Sequence, residues 1–384
     1  MPLLSPRRPS QALLGLDLQP DAARLVALGR TSRGQLVLEH CACEPMAPAC
    51  LVDGRVDNFD ALTQTVSRLL RRSGVRAVHV AMALPEAAVI VRRITLPQML
   101  AAEELQTRVR SEAERLIPVP LQEVYLDYAV LEPRAALAAQ DGSAHAPWPV
   151  RRVQDADPMD LLLVAARRER VRELQALAEA VGLKPVAVDV AAFAARRAVR
   201  HLMARSMSRP AGAGADGLAD PRPRAEPIVA LLDLRADRVD WQLLRGDELI
   251  HANQHLRHDL GGVSTQHHAG AGLEWAQALA PALSQASMAA GPLDALWLMG
   301  AVDHCADLAQ ALSDLLACPC RVANPFEGMV HRRPPAWRIT RARRAWDAQG
   351  AQGAQGAQGV TAPQESAASA YLQACGLALR GFQP

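Results

Sequence analysis

The chain has 384 residues, a formal net charge of +2 and a hydrophobic content of 50%, enough for two domains with cores of their own. So small a net charge excludes nucleic-acid binding by bulk electrostatics. Aromatic residues make up only 3%, so the cores must rest on Leu, Val and Ala. No apolar run is long enough to cross a bilayer, and Met1 to Gln11 is basic without the apolar stretch of a signal peptide, so a cytoplasmic location is expected.

Leu13 to Val26 reads as strand, tight turn, strand, and Gln35 to Glu39 as a third strand after Arg33-Gly34. Val56 to Ser73 is a helix, with Leu62, Val66, Leu69 and Leu70 at helical spacing and Gly74 as its stop. Val75 to Leu84 is dense enough in apolar residues for a strand buried on both faces. Ala87 to Leu96 (strand), Gln98 to Leu116 (amphipathic helix) and Val124 to Leu131 (strand) read as a β-α-β insertion. Pro133 to Pro158 is a long loop. After it come a strand (Leu161–Ala165), a helix (Arg168–Val181), a strand (Pro185–Val190) and a helix (Ala191–Met203) with an arginine face of Arg196, Arg197 and Arg200.

Ser206 to Pro227 is rich in Gly, Ala, Pro and Arg, as a flexible linker is. The opening pattern then returns. Ile228 to Leu244 is strand, turn, strand, and Glu248 to Ala252 is a third strand after Arg245-Gly246. Asp17 matches Asp233, Asp21 matches Asp237, and Arg33-Gly34 matches Arg245-Gly246. A helix (Ser264–Ala290), a strand (Asp294–Met299), a helix (Asp303–Leu316) and a short strand (Cys320–Ala323) follow. The repetition predicts a duplicated α/β fold with a cleft between its halves. The expected division is a first lobe over 1–205 with an inserted subdomain at about 86–131, a linker over 206–227 and a second lobe over 228–384. The second lobe holds an Ala-Gln-Gly low-complexity loop at about 347–365 and ends in a docking helix from Ser369 to Gly381.

The seven cysteines include two Cys-x-Cys pairs, Cys41/Cys43 and Cys318/Cys320, which lack zinc-ribbon spacing and read as buried small hydrophobes. His267-His268 point apart on a helix, and His251, His255 and His258 read as solvated. His331 to Trp346 is arginine-heavy, either a solvated segment or a contact for anionic headgroups or an acidic partner.

Repeated units with Asp-turn hairpins resemble the superfamily of actin, sugar kinases and DnaK-type chaperones. Val80 to Ile90 (VAMALPEAAVI) and Ser111 to Tyr128 (SEAERLIPVPLQEVYLDY) are similar to the PilM family, actin-like proteins of type IV pilus assembly. Leu161–Arg167, Val186–Phe193 and Ala374–Arg380 extend that resemblance over nearly the whole chain. It implies a duplicated actin-like ATPase fold: two lobes around a cleft, with a small subdomain in the first. It also implies ATP and Mg²⁺ as cofactors, a PilN-type N-terminal peptide and the pilus motor ATPases as partners, and a peripheral place on the inner membrane reached through the partner. An oligomer is compatible with all of this. The runner-up readings are a working ATPase coupling nucleotide state to pilus biogenesis and a GspL-like component of type II secretion.

Carried over by the resemblance, nucleotide contacts fall on Asp17, Arg24, Asp189, Asp233, Arg235, Gly261, Gly262 and Gly300, with Asp17 and Asp233 near Mg²⁺. The peptide groove falls on Leu84, Pro85, Val89 and Ile94. The chemistry of the first turn is nonetheless eroded. Gln19-Pro20-Asp21 replaces Gly-Ser-Ser, which adds a side chain, deletes an N–H and puts a negative charge where a polyphosphate would lie. Arg235 replaces a Gly, Ala301 replaces the second Gly of the adenosine turn, and Ala191 stands where the family often has Glu. The expectation is a scaffold with a degenerate nucleotide site and no turnover.

Overall fold

A computed structural model describes residues 13–52, 54–97, 100–131, 158–207, 226–235, 238–246, 248–256, 271–300, 305–331 and 368–382. The long loop after Pro133, the 208–225 part of the linker, Gly261 and Gly262, Ala301, His258, His267, His268, the Arg332–Arg344 cluster and the Ala-Gln-Gly repeat lie outside the described residues.

In the first lobe, β1 (Leu13–Leu18), β2 (Ala22–Arg30) and β3 (Leu36–Pro45) form a meander, and β4 (Leu51–Val52) with β5 (Arg55–Val56) a small hairpin. Helix α1 (Phe59–Ser73) begins at an N-cap where Asn58 accepts from the Ala61 N–H at 3.0 Å, and ends at Gly74 in the left-handed conformation. β6 (His79–Leu84) then runs parallel to β1. Leu62, Val66 and Leu69 of α1 are buried against Leu14, Leu16, Leu25 and Met82 of this sheet.

The chain leaves the sheet at Pro85 to build the subdomain: β7 (Val89–Pro97), α2 (Ala102–Leu116), β8 (Val124–Val130) and β9 (Pro158–Arg167). β9 lies between β7 and β8, antiparallel to both. The subdomain therefore has three strands and is completed by a segment beyond the expected 86–131. The run Leu161-Leu162-Leu163-Val164-Ala165 suits a central strand flanked on both sides. Val109 and Ala113 of α2 are buried on Ile94, Leu161 and Leu163.

Helix α3 (Arg168–Ala180), β10 (Lys184–Val190) and α4 (Ala191–Met207) return to the lobe, β10 pairing parallel with β6. The second lobe repeats the plan with β11 (Ile228–Leu234), β12 (Arg238–Arg245), β13 (Glu248–Leu256), α5 (Ala271–Ala290), β14 (Ala295–Gly300), α6 (Cys305–Leu316) and β15 (Cys320–Val322). The strand orders correspond: β10-β6-β1-β2-β3 in the first sheet and β15-β14-β11-β12-β13 in the second.

The end of the chain crosses back. β16 (Val330–His331) adds to β3, and α7 (Leu372–Leu379), the expected docking helix, lies on β1 and α4 of the first lobe. Glycine makes this possible. A Cβ at Gly15 would stand 1.9 Å from the Ala374 carbonyl oxygen, and one at Gly376 1.8 Å from the Ala194 carbonyl oxygen. One apolar cluster joins α4, α7, β2 and β3 to Val229, Leu231, Trp297 and Met299 of the second sheet. The lobes thus share a core beneath the cleft.

Candidate functional site: the cleft between the hairpins

The β1–β2 and β11–β12 hairpins meet at Gln19 and Arg235. The first turn closes with the Gln19 N–H donating to the Ala22 carbonyl at 3.0 Å, Pro20 has no N–H, and Arg235 N–H donates to the Arg238 carbonyl at 3.0 Å. Of the backbone donors described at these turns, those of Gln19 and Arg235 are thereby engaged, and Pro20 has none to offer.

Side chains occupy the space between the turns. The Gln19 amide donates to Asp17 at 2.8 Å, and its oxygen accepts from Arg235, a direct contact across the cleft. Arg235 also holds Asp233 at 2.7 Å and Asp240 at 3.4 Å. The Gln373 amide from α7 sits among them, 2.7 Å from Gln19, 3.1 Å from Asp17 and 3.1 Å from Arg235. A second bridge lies beside the first. Arg196 of α4 donates to Gln242 of β12 at 2.8 Å, and Gln242 donates to Glu86 at 2.6 Å.

The charges follow from burial and partners. Asp17 is 4% exposed, and burial lifts its pKa to about 6 against the pull of Arg24, Gln19 and Arg235. Burial works against the charge on Arg24 and on Arg235. Their neighbours together outweigh it, Asp21 foremost for Arg24 and Asp233 with Asp240 for Arg235, and both guanidiniums stay charged. Burial also pushes Asp240 and Glu86 upward, opposed chiefly by Arg235 and Arg196 respectively.

Asp17, Asp233 and Arg235 come together in this network. Arg24 pairs with Asp21 on its own turn. Asp189 is engaged elsewhere, by Arg197 at 3.0 Å and Arg380 at 2.9 Å. Gly300 has φ +118°, and a Cβ there would stand 2.1 Å from the Leu234 carbonyl oxygen, so close strand packing already requires the glycine. Gly261 and Gly262 fall outside the described residues. Among the described residues, no group of three or more His, Cys, Asp or Glu is placed to hold a metal ion.

The residues expected to form the peptide groove do not line one surface. Leu84 is buried in the first-lobe core and Ile94 in the subdomain core, Val89 packs against the first core, and Pro85 lies beside Gly54. A groove of about 730 Å³ instead follows β8, on the opposite side of the subdomain sheet from β7. Its lining includes Val124, Tyr125 and Leu126, with Val109 and Arg110 of α2 and Arg168 of α3. Successive strand residues point to opposite faces, so three in a row mark a groove along the strand edge. The Arg168 guanidinium stacks 4.7 Å over the Tyr125 ring and donates to the Val124 carbonyl at 3.1 Å.

Sequence reading passed over Gln373, Gln242 and Glu86. Gln373 meets Gln19 across 354 positions of sequence, and no local pattern signals such a pair.

Two duplicated sheets with facing hairpins and a subdomain inserted in the first lobe define an actin-like ATPase fold. The model of the type IV pilus assembly protein PilM family matches residues 15–143 and 150–267, and the chain belongs to that family. Its fold is similar to that of a solved PilM-PilN type IV pilus biogenesis complex, at 23% identity over 97% of this chain and 99% of that one, with a TM-score of 0.65. More distant likenesses include a Bacteroides thetaiotaomicron protein with an actin-like ATPase fold (9% identity, 82% and 91% covered, TM-score 0.39). Another is the cytoplasmic domain of EpsL, an inner membrane component of the type II secretion system of Vibrio cholerae (13% identity, 76% and 82% covered, TM-score 0.38). Among the described residues, no helix is long and apolar enough to cross a membrane.

Proposed function

We propose that this PilM-family protein serves type IV pilus assembly as a scaffold. It holds the N-terminal peptide of a PilN-type partner along β8, and its own side chains close the nucleotide cleft. The groove along β8 carries this reading. The outer edge of β8 has no strand partner among the described residues; Arg168 takes the Val124 carbonyl and Asp127 the Tyr128 N–H, and an added strand would compete for these or use the other groups of that edge. Tyr125 and Leu126 supply apolar surface, and Arg110 and Arg168 supply cationic rims suited to an acidic or polar flank. A peripheral place at the inner membrane, with the pilus motor ATPases as further partners, follows from holding a tail of that kind.

The cleft supports the scaffold over an ATPase. A polyphosphate would have to displace the Gln19–Arg235 contact and lie against Asp21, where the Gln19 N–H is engaged and Pro20 has none. Donors lost at about 1 kcal/mol each are not restored by one arginine that two carboxylates already hold. Asp17 and Asp233 do not fit a Mg²⁺ site while they anchor Gln19 and Arg235.

The test is titration of the protein with a synthetic PilN-type N-terminal peptide, followed by calorimetry. Saturable binding is expected, weakened by Arg110→Glu on the exposed rim without loss of thermal stability. A peptide that fails to bind, or binds the charge-reversed variant equally well, would refute the groove assignment.

A further inference from the structure

A second concave site lies far from the cleft, where β2 ends. It is a cavity of about 500 Å³ between the β2–β3 turn, the last turns of α4 and the C-terminal turn after α7. Arg30, Arg33, Arg197, Arg200 and His201 line it with Leu379 and Phe382, and no carboxylate is among its lining residues. From Ala22 at the cleft to Arg30 the strand covers roughly 27 Å at ~3.4 Å per residue.

Two of the cations are uncommitted to acids. Arg30 stacks 5.1 Å over the Phe382 ring and donates to the Phe382 carbonyl at 3.3 Å. Arg33 forms no ion pair among the described residues. The turn that carries it is stiff. Thr31 N–H donates to the Gln35 carbonyl at 2.9 Å, Gly34 N–H to the Thr31 carbonyl at 2.9 Å, and Gln35 N–H to the Thr31 hydroxyl at 3.1 Å, with Gly34 at φ +80°. The second lobe repeats this Arg-Gly turn with a different outcome. There Arg245 donates to the Ala290 carbonyl at 2.8 Å and caps the end of α5. The structural duty seen in the second lobe is therefore absent from the first, where the arginine stands at a cavity.

We infer that this cavity is an anion site for a multiply charged phosphate group. Guanidiniums arriving from a turn and a helix suit phosphate oxygens by their planar, forked donors. Arg197 is shared with Asp189, so Arg30 and Arg33 carry most of the attraction. Such a group reaches the site either on a soluble ligand or on an anionic lipid headgroup.

Two probes separate the sources: sodium pyrophosphate in calorimetry, and phosphatidylglycerol/phosphatidylcholine vesicles in co-sedimentation. The wild-type protein is expected to bind at least one of them, more weakly as salt is added. Arg30→Gln/Arg33→Gln should lose about tenfold in affinity, ~1.4 kcal/mol, with an unchanged melting temperature. Arg33→Gln alone, on an exposed turn, serves as a second variant if the double variant is unstable. Binding only to pyrophosphate assigns a soluble ligand, and binding only to vesicles assigns a headgroup. No binding to either probe, or variants that bind as the wild type does, would overturn the inference.

Discussion

The two hairpins share a backbone and differ in charge. β1 and β2 set Asp17 opposite Arg24, whereas β11 and β12 set Asp233 opposite Asp240. In the first, the arginine turns to Asp21 at the tip and leaves Asp17 to an amide in a buried site. In the second, two acids directly across the ladder repel, and Arg235 lies between them to offset that repulsion. One tip therefore presents a neutral amide and the other a cation, and they meet. The two turns thus hold each other through Gln19 and Arg235.

The contrast extends two residues upstream, where Gly15 of β1 corresponds to Leu231 of β11. Leu231 fills the shared core, while Gly15 admits the backbone of α7. Gly15→Ala should break this difference most severely, because the added carbon meets helix backbone. A loss of about 3 kcal/mol or more is expected, read as a lowered denaturant midpoint; a change under ~0.5 kcal/mol would mean that α7 does not seat on β1.

Arg235→Ala leaves Asp233 without its cation, facing an Asp240 that keeps Arg238 at 3.1 Å, at a site mostly shielded from water. The expected cost is about 3 kcal/mol, which raising the salt concentration should reduce in part. Arg24→Ala, which removes one partner of the more exposed Asp21, should cost less in the same melts. Equal costs would show that the hairpins are not electrostatically distinct.

Asp17 gives a smaller, pH-dependent effect. Its folded pKa of about 6 lies above the ordinary 3.8, so the native state binds the proton more tightly than the unfolded chain. Its contribution to stability is therefore fully present below pH 3.8 and is lost as pH rises through about 6. Asp17→Asn should be more stable than wild type at pH 7, and the gap should narrow by about 1 kcal/mol at pH 5. A gap independent of pH would show that Asp17 ionises normally.

The smallest effect is expected at the rim. Arg93 of the subdomain contacts Asp160 at 2.6 Å and Glu248 of the second lobe, but all three are partly solvated. Arg93→Ala should change global stability by under about 1 kcal/mol; a larger loss would make this rim contact part of the lock.

Much of the fold was legible because it repeats. The two Asp-turn hairpins and the helices stopped at Gly74 and Gly182 announce themselves by period and punctuation. What escaped was non-local. β9 reads as an ordinary strand of the lobe, and only pairing shows it between β7 and β8. That Pro20 leaves the first turn one N–H short was visible in Gln19-Pro20-Asp21, since a missing N–H is a property of the residue itself. That Gln19 then reaches Arg235 was not visible, because it depends on how closely the lobes approach. Leu84 and Ile94 lie in apolar stretches that a sequence shows equally well as surface or as core; the structure buries both.

The most direct test of the closed cleft is calorimetric titration of the intact protein with Mg²⁺-ATP. The Gln19–Arg235 contact predicts no saturable heat at concentrations up to about 1 mM, with the peptide present or absent. Saturable binding in the micromolar range would contradict it, because the nucleotide would then be displacing a contact on which the cleft's closure depends.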